Sequence, residues 1–323
     1  MFGLFGIGSN KNLKDLNIYR DISKLPKIKN AVVTTGSFDG VHIGHQALIS
    51  RLVKLAHSIH GETVLITFYP HVRKVLYPDS AGKDLEMINS QSEKIELLSR
   101  TGLDNLVIIN FTREFARTSA EEFVRDILSE KLGAKIIVVG YNHYFGHNKE
   151  GNYDKLIKLG QELDFEVVEI PKQELEKETV GSSKIRKSLK DGKIMHANAY
   201  LDHIFFFDTS FLSGSNALQQ LGFKTYSIAI EVGEKLIPPD GIYAIRADIN
   251  GFNTKGLLIS DYHQQKTGKG VEVLLFDDVE VEEGQNGKVH IHKELTSNIS
   301  WNNNDRLKRQ IDEMVKISNE LIY

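Results

Sequence analysis

The sequence predicts an α/β domain built on a parallel sheet, followed by a small antiparallel β-barrel and a C-terminal helix. Three observations carry that expectation. Over the first two-thirds of the chain, β-branched runs alternate with amphipathic helical runs, as in βαβ units, which require a parallel sheet. After Leu201 the helical periodicity largely stops, and short β-rich runs separated by turn clusters take over. The chain then ends on one amphipathic helix.

Its 323 residues suit two domains, residues 1–200 and 201–323, with the boundary near Ala199 to His203. Residues before Lys29 are mixed and contain Pro26, and read as an N-terminal arm or short strand. Val32 to Thr35 is a buried strand. It runs into Gly36-Ser37-Phe38-Asp39-Gly40-Val41-His42-Ile43-Gly44-His45 and then into a helix with Leu48, Leu52, Val53, Leu55 and Ala56 on one stripe. Glu62 to Phe68 is the second strand, Ser92 to Arg100 a helix and Leu106 to Ile109 the third strand. Ser119, with Glu122 three residues on, forms a capping box. Lys135 to Gly140 is the fourth strand, Tyr153 to Glu162 a helix and Phe165 to Ile170 the fifth strand. Gly181 to Arg186 opens a helix that ends near Asp191-Gly192. The barrel strands read as Ile204 to Phe207, Tyr226 to Val232, Gly241 to Ile249, Lys255 to Ser260, Val271 to Phe276 and Lys288 to His292. Pro238-Pro239-Asp240-Gly241 and Gly268-Lys269-Gly270 are turns. Arg306 to Leu321 is the closing helix.

Composition narrows the function. The formal net charge is −3, which gives no basic footprint for a nucleic-acid partner. There is no cysteine, which excludes disulfides, thiol catalysis and zinc–thiolate sites. The apolar start, Met1 to Gly8, lacks a basic region and a cleavage pattern, so no signal peptide is read. No apolar run is long enough to span a bilayer. A cytoplasmic protein without a membrane partner is expected.

A strand leading through a glycine-rich turn to a helix N-terminus is an anion-binding geometry. The first helical turn offers unpaired N–H groups and a positive dipole end. His42 and His45 add imidazoles that can donate to phosphate oxygens and stabilise charge at an attacked phosphorus. A second candidate clamp is Ser182, Ser183 and Arg186. Either Ser can cap its helix or present a hydroxyl to an anion, and Arg186 one turn in can grip the same anion bidentately.

Taken in order, these stretches resemble the prokaryotic FAD synthetases, which usually join an FMN adenylyltransferase to a riboflavin kinase. The matching residues are Gly36 to His45, Thr67 to His71, Val139 to Gly146, Ser182 to Arg186 and Gly192 to Asn198. The resemblance implies a Rossmann-like nucleotidyltransferase domain that moves AMP from Mg-ATP to FMN. ATP and FMN are then the partners, and Mg²⁺ comes with the nucleotide, with no metal ligand assigned on the protein. It also implies that Gly36, Ser37, Phe38, His42 and His45 hold ATP and that Ser182, Ser183 and Arg186 hold its phosphates. Asn142 contacts the nucleotides near the reacting centre, and Phe68, Pro70 and His71 line the flavin side. Val72, His143 and Gly181 depart from the family pattern.

The C-terminal third departs further. Where riboflavin kinases carry a Gly- and Arg-rich loop leading to G-F-P-T-x-N, this chain reads Ser213-Gly214-Ser215-Asn216-Ala217-Leu218-Gln219-Gln220 and Gly222-Phe223-Lys224-Thr225-Tyr226-Ser227. Thr225 remains, Ser227 replaces the Asn, and Glu272 aligns with the family's base. The expectation is a degenerate kinase site in an intact barrel. A working bifunctional enzyme and a non-catalytic flavin- or nucleotide-binding regulator are the alternatives. Every matched transferase residue precedes His203, so a chain ending near there is expected to keep that activity if it stays soluble, the risk being apolar surface exposed where the barrel docked, around Ile204 to Phe207.

Overall fold

The computed structural model describes residues 15–141, 143–171, 180–214, 216–230, 234–261 and 270–321. The chain divides into two compact units, Met1–Asp84 with Ile95–Thr179, and Leu85–Lys94 with Val180–Tyr323.

In the first unit, apolar β-branched runs form six strands: β1 (Asn17–Tyr19), β2 (Ala31–Thr35), β3 (Thr63–Tyr69), β4 (Asn105–Asn110), β5 (Ala134–Gly140) and β6 (Glu166–Ile170). Their order is β1-β4-β3-β2-β5-β6, and the pairs are parallel. The residues before Lys29 thus supply an edge strand, β1, beside β4. The helices are α1 (Ile43–Ser58), α2 (Val72–Leu76), α3 (Gln91–Ser99, which starts within the other unit), α4 (Ala120–Glu122, continued as π-helical turns over Phe123–Lys131) and α5 (Tyr153–Leu163). Ser119 and Glu122 form the predicted capping box, each side chain accepting from the other's backbone N–H. Strands buried on both faces read as continuous apolar runs, and Val33, Val64, Ile66 and Ile137 are fully buried in one core with Phe123, Leu128 and Leu156.

The position of β2 locates the site. From β2 the chain moves to β3 on one side and later returns to β5 on the other. The order therefore reverses between β2 and β5, and ligands of open parallel sheets bind outside the carboxyl ends of strands at such a switch point. The turn leaving β2 carries His42, and the loop leaving β5 carries Tyr141 and His143.

The second unit begins with α6 (Ser182–Lys190) and α7 (Ile194–Leu201). It continues as β7 (Phe205–Ser213), α8 (Asn216–Gln220), β8 (Thr225–Ile228), β9 (Gly241–Ile249), β10 (Phe252–Ser260), β11 (Val271–Leu275), β12 (Asn286–Thr296) and α9 (Asn304–Leu321). The strands close an antiparallel barrel in the order β10-β11-β8-β7-β12-β9, which leaves no open edge. β7 and β12 run longer than their apolar cores indicated, because hydrogen-bonded pairing continues into polar residues. Of the expected strand Tyr226 to Val232, β8 ends at Ile228, and residues 231 and 232 lie outside the described residues, as do Gly268 and Lys269 of the second turn. Phe205, Phe207, Phe211, Tyr243 and Ile291 fill the interior. Leu307, Ile311 and Met314 of α9 cover a second cluster with Ile242, Leu257 and Ile259.

An ion pair buried in this unit escaped the sequence reading. Residues 85–94 leave the first unit and dock on the barrel unit. The Met87 N–H donates to Glu234 O at 2.8 Å, and the Leu236 N–H donates to Met87 O at 2.8 Å. Ile88 is fully buried among barrel residues. Lys235 ion-pairs with Glu93, both almost wholly buried, and Lys235 Nζ also donates to Ile88 O at 3.1 Å. Glu93 Oε1 accepts the Asp208 N–H at 2.9 Å. A chain ending at His203 would lose the Lys235 end of this pair.

Candidate active site

The Gly36–His42 turn is tied to the sheet by backbone and side-chain bonds. The Gly36 N–H donates to Ile66 O at 3.0 Å, and the fully buried Thr67 donates its hydroxyl to Ser37 O at 3.2 Å. Thr67 lies in the T-F-x-P-H stretch but contributes here by holding the turn. A β-carbon on Gly36 would sit 3.0 Å from the Phe38 ring, so this position favours glycine for closeness. Phe38 is buried beneath the turn, with its ring 4.7 Å from that of His45.

His42 is the N-cap residue of α1 and makes no side-chain capping bond, while its carbonyl accepts the Gln46 N–H at 3.0 Å. The His42 and His45 rings stack with centroids 3.7 Å apart and 21° between planes. The predicted pair is therefore assembled at the helix N-terminus, beside the switch point. Only 6 % of His42 is exposed. Burial pushes its imidazole down to about 4, against the opposing pull of the Asp39 carboxylate. His42 is thus neutral near pH 7, and its buried Nδ1 has no hydrogen-bond partner among the described residues.

On the expected flavin side, the half-buried Phe68 packs edge-on against Phe111 at 5.5 Å and lies 6.2 Å from Phe115. Pro70 is exposed. His71 caps α2, accepting the Arg73 N–H on Nδ1 at 3.2 Å, a structural duty the motif did not disclose. Asn142 lies outside the described residues. Its neighbour His143 stacks against Phe145 at 5.7 Å, and burial lowers it to about 4.

Ser182, Ser183 and Arg186 belong to the second unit. Neither Ser caps α6. Gly181 is the N-cap, with φ −151° and ψ 160° and no side-chain capping bond, so both serines stand inside the first helical turn. The Arg186 Nε–H donates to Glu86 O at 3.0 Å, and Lys190 pairs with Glu86 at 2.8 Å. The helix is thereby fastened to the docked segment.

The predicted barrel residues also come together. Glu272 pairs with Ser227 in register across β11 and β8. Tyr226 and Val273 point into the barrel core, so strand alternation places Thr225, Ser227 and Glu272 on the opposite face. Thr225 and Glu272 are both buried, and Thr225 Oγ1 has no hydrogen-bond partner among the described residues. A β-carbon on Gly214 would meet that oxygen at 2.5 Å, so Gly214 is needed for the loop to pass so close.

No described helix is long and apolar enough to cross a membrane. Among the described residues no group of three or more His, Asp or Glu could hold a metal ion.

Comparison with known proteins gives two family matches in chain order. The FAD synthetase model matches residues 24–184 and the riboflavin kinase model residues 201–322. A bifunctional riboflavin kinase/FMN adenylyltransferase of Buchnera aphidicola subsp. Schizaphis graminum is 31% identical over 312 residues, 94% of this chain and 97% of that one. The Escherichia coli protein of the same name is 27% identical over 296 residues, 90% of this chain and 92% of that one. A crystal structure described as a macrolide-efflux protein from Streptococcus pneumoniae is similar with a TM-score of 0.83 at 24% identity, over 95% of this chain and 99% of that one. That last likeness is one of fold. With both halves matched and a relative of this identity spanning nearly its full length, the chain belongs to the bifunctional riboflavin kinase/FMN adenylyltransferase family.

Proposed function

We propose that the protein makes FAD by transferring the adenylyl group of Mg-ATP to FMN. A phosphate oxygen of FMN attacks the α-phosphorus of ATP. The new P–O bond forms as the bond to the α,β-bridging oxygen breaks, and pyrophosphate leaves. Such a step needs positioning and charge stabilisation but no covalent enzyme intermediate. The observation that carries the proposal is the stacked His42–His45 pair at the N-terminus of α1, at the sheet's switch point.

His42 and His45 would donate to the phosphate oxygens on which charge builds, and the turn from Gly36 to Phe38 would hold ATP. A neutral His42 still has one N–H to give, and the charge of a bound triphosphate draws the imidazole toward its doubly donating form. Ser182, Ser183 and Arg186 are assigned to the ATP phosphates and Asn142 to the reacting centre. Phe68, Pro70 and His71 are assigned to the flavin, all by their match to the family's motifs. Mg²⁺ arrives as Mg-ATP.

For the barrel we propose that riboflavin phosphorylation is lost, because Ser227 replaces a longer amide and the loop before it has few glycines and no Arg to cradle phosphates. The bifunctional reading is favoured by the riboflavin kinase match, by the names of the relatives and by the buried Thr225 hydroxyl near Glu272, which has no hydrogen-bond partner among the described residues. Paired assays on the full chain decide: FMN with Mg-ATP, scored for FAD, and riboflavin with Mg-ATP, scored for FMN. FAD from the first and nothing from the second is expected. FMN from the second would make Thr225 and Glu272 active-site residues, and silence in both would leave a binding protein.

A further inference from the structure

The turn that carries the histidines has an uncommon backbone. Phe38 has φ 49°, Gly40 φ 88° and Val41 φ 39°. Left-handed backbone is rare for any residue with a β-carbon and rarest for a β-branched one, so Val41 is the least natural occupant. It is also only 2% exposed, so its side chain is anchored in the unit's interior. Its backbone is held at both ends: the Val41 N–H donates to Phe38 O at 3.3 Å, and Val41 O accepts Gln46 Nε2–H at 3.2 Å. The next residue is His42. Strained residues persist where the surroundings over-determine them, and an observed outlier of this kind points toward function.

We propose that Val41 is a positioning residue for adenylyl transfer: its buried side chain and its Gln46-clamped carbonyl fix the backbone from which the His42 ring projects, and so hold the His42–His45 stack in register. The role presupposes the phosphate-binding assignment of the two histidines. The strain marks a turn bent for the sake of the ring it presents. Glycine at 41 would relieve the strain and release the anchor together, whereas isoleucine would keep both.

The test uses the full chain with FMN and Mg-ATP. Val41→Gly should lower kcat for FAD formation about tenfold or more, the scale of a small misplacement of reacting groups. Its KM for ATP should change far less and its melting temperature should stay near wild type. Val41→Ile should retain kcat, and Gln46→Met, which drops the donor while keeping the length, should lower kcat several-fold in the same pattern. Should Val41→Gly fail to fold, Gln46→Met carries the test alone. Unchanged kcat in folded Val41→Gly, or in Gln46→Met where Val41→Gly does not fold, would overturn the proposal. So would a loss confined to KM or to thermal stability. His42→Ala and His45→Ala, run alongside, separate the two claims: if they are inactive while the position 41 and 46 variants are unimpaired, only the positioning role fails.

Discussion

The two units hold their candidate sites in different ways. In the parallel-sheet unit the candidate site is a turn whose atoms are fixed by several named bonds, to Thr67, Ile66 and Gln46, and whose two histidine rings stack on each other. In the barrel, Thr225 and Glu272 lie buried on one face of β8 and β11, and the stretch from Ser213 to Ser227 that leads to them carries two glycines, Gly214 and Gly222, and no arginine. Barrel closure depends on apolar alternation and register, whereas phosphate binding depends on loop chemistry that the core does not need.

Four outcomes would break or sharpen that contrast. The largest concerns the barrel's framework. Lys235→Met strips Glu93 of its buried partner, and breaking one side of a buried pair costs about 3–5 kcal/mol. Denaturant unfolding should show that loss in the second unit, and a chain ending at His203, lacking Lys235 altogether, should be unstable. A truncated chain that melts like wild type would show that residues 85–94 do not need the barrel.

Next in size, His42→Ala or His45→Ala should lower FAD formation by roughly 10²–10³, the effect of losing one preorganised donor, with folding little changed. Steady-state rates at saturating ATP would read it. Smaller again, Arg186→Ala should raise the KM for ATP more than that for FMN, and Arg186→Lys should restore only part, since a fork becomes a point charge. A loss confined to FMN would move the clamp to the other substrate.

The smallest effect is on pH. His42 and His143 are held at about 4 in the fold by burial, against an ordinary value of 6.5. Below that ordinary value the unfolded chain binds protons at these two histidines that the folded chain does not, so their contribution to stability falls as pH drops from 6.5 toward 4 and is level above that window. Melting temperatures at about pH 7 and about pH 5 should differ less in His42→Ala than in wild type. An unchanged difference would show that His42 is not held neutral by burial.

Much of this was legible in the sequence. The β-branched run into a glycine turn and an amphipathic helix placed His42 and His45 together, and alternation with turn clusters marked the barrel. Ser119 and Glu122 capped as their spacing required. What escaped was long-range or conformational. Nothing local in Leu85–Lys94 shows that Ile88 and Glu93 pair with residues far along the chain, because burial of a lone Glu is decided by its distant partner Lys235. Val41 gives no sign of left-handed backbone, because intrinsic preference argues against it and only the tertiary frame imposes it. The serines of α6 looked like caps because Ser favours that position, and the backbone turned one residue earlier, at Gly181.

The central claim is that the stacked-histidine site makes FAD. The purified 323-residue chain incubated with FMN and Mg-ATP should yield FAD and pyrophosphate in equal amounts, and His42→Ala should abolish nearly all of both. A folded wild-type protein that forms neither product, or a His42→Ala variant that forms both at the wild-type rate, would contradict it.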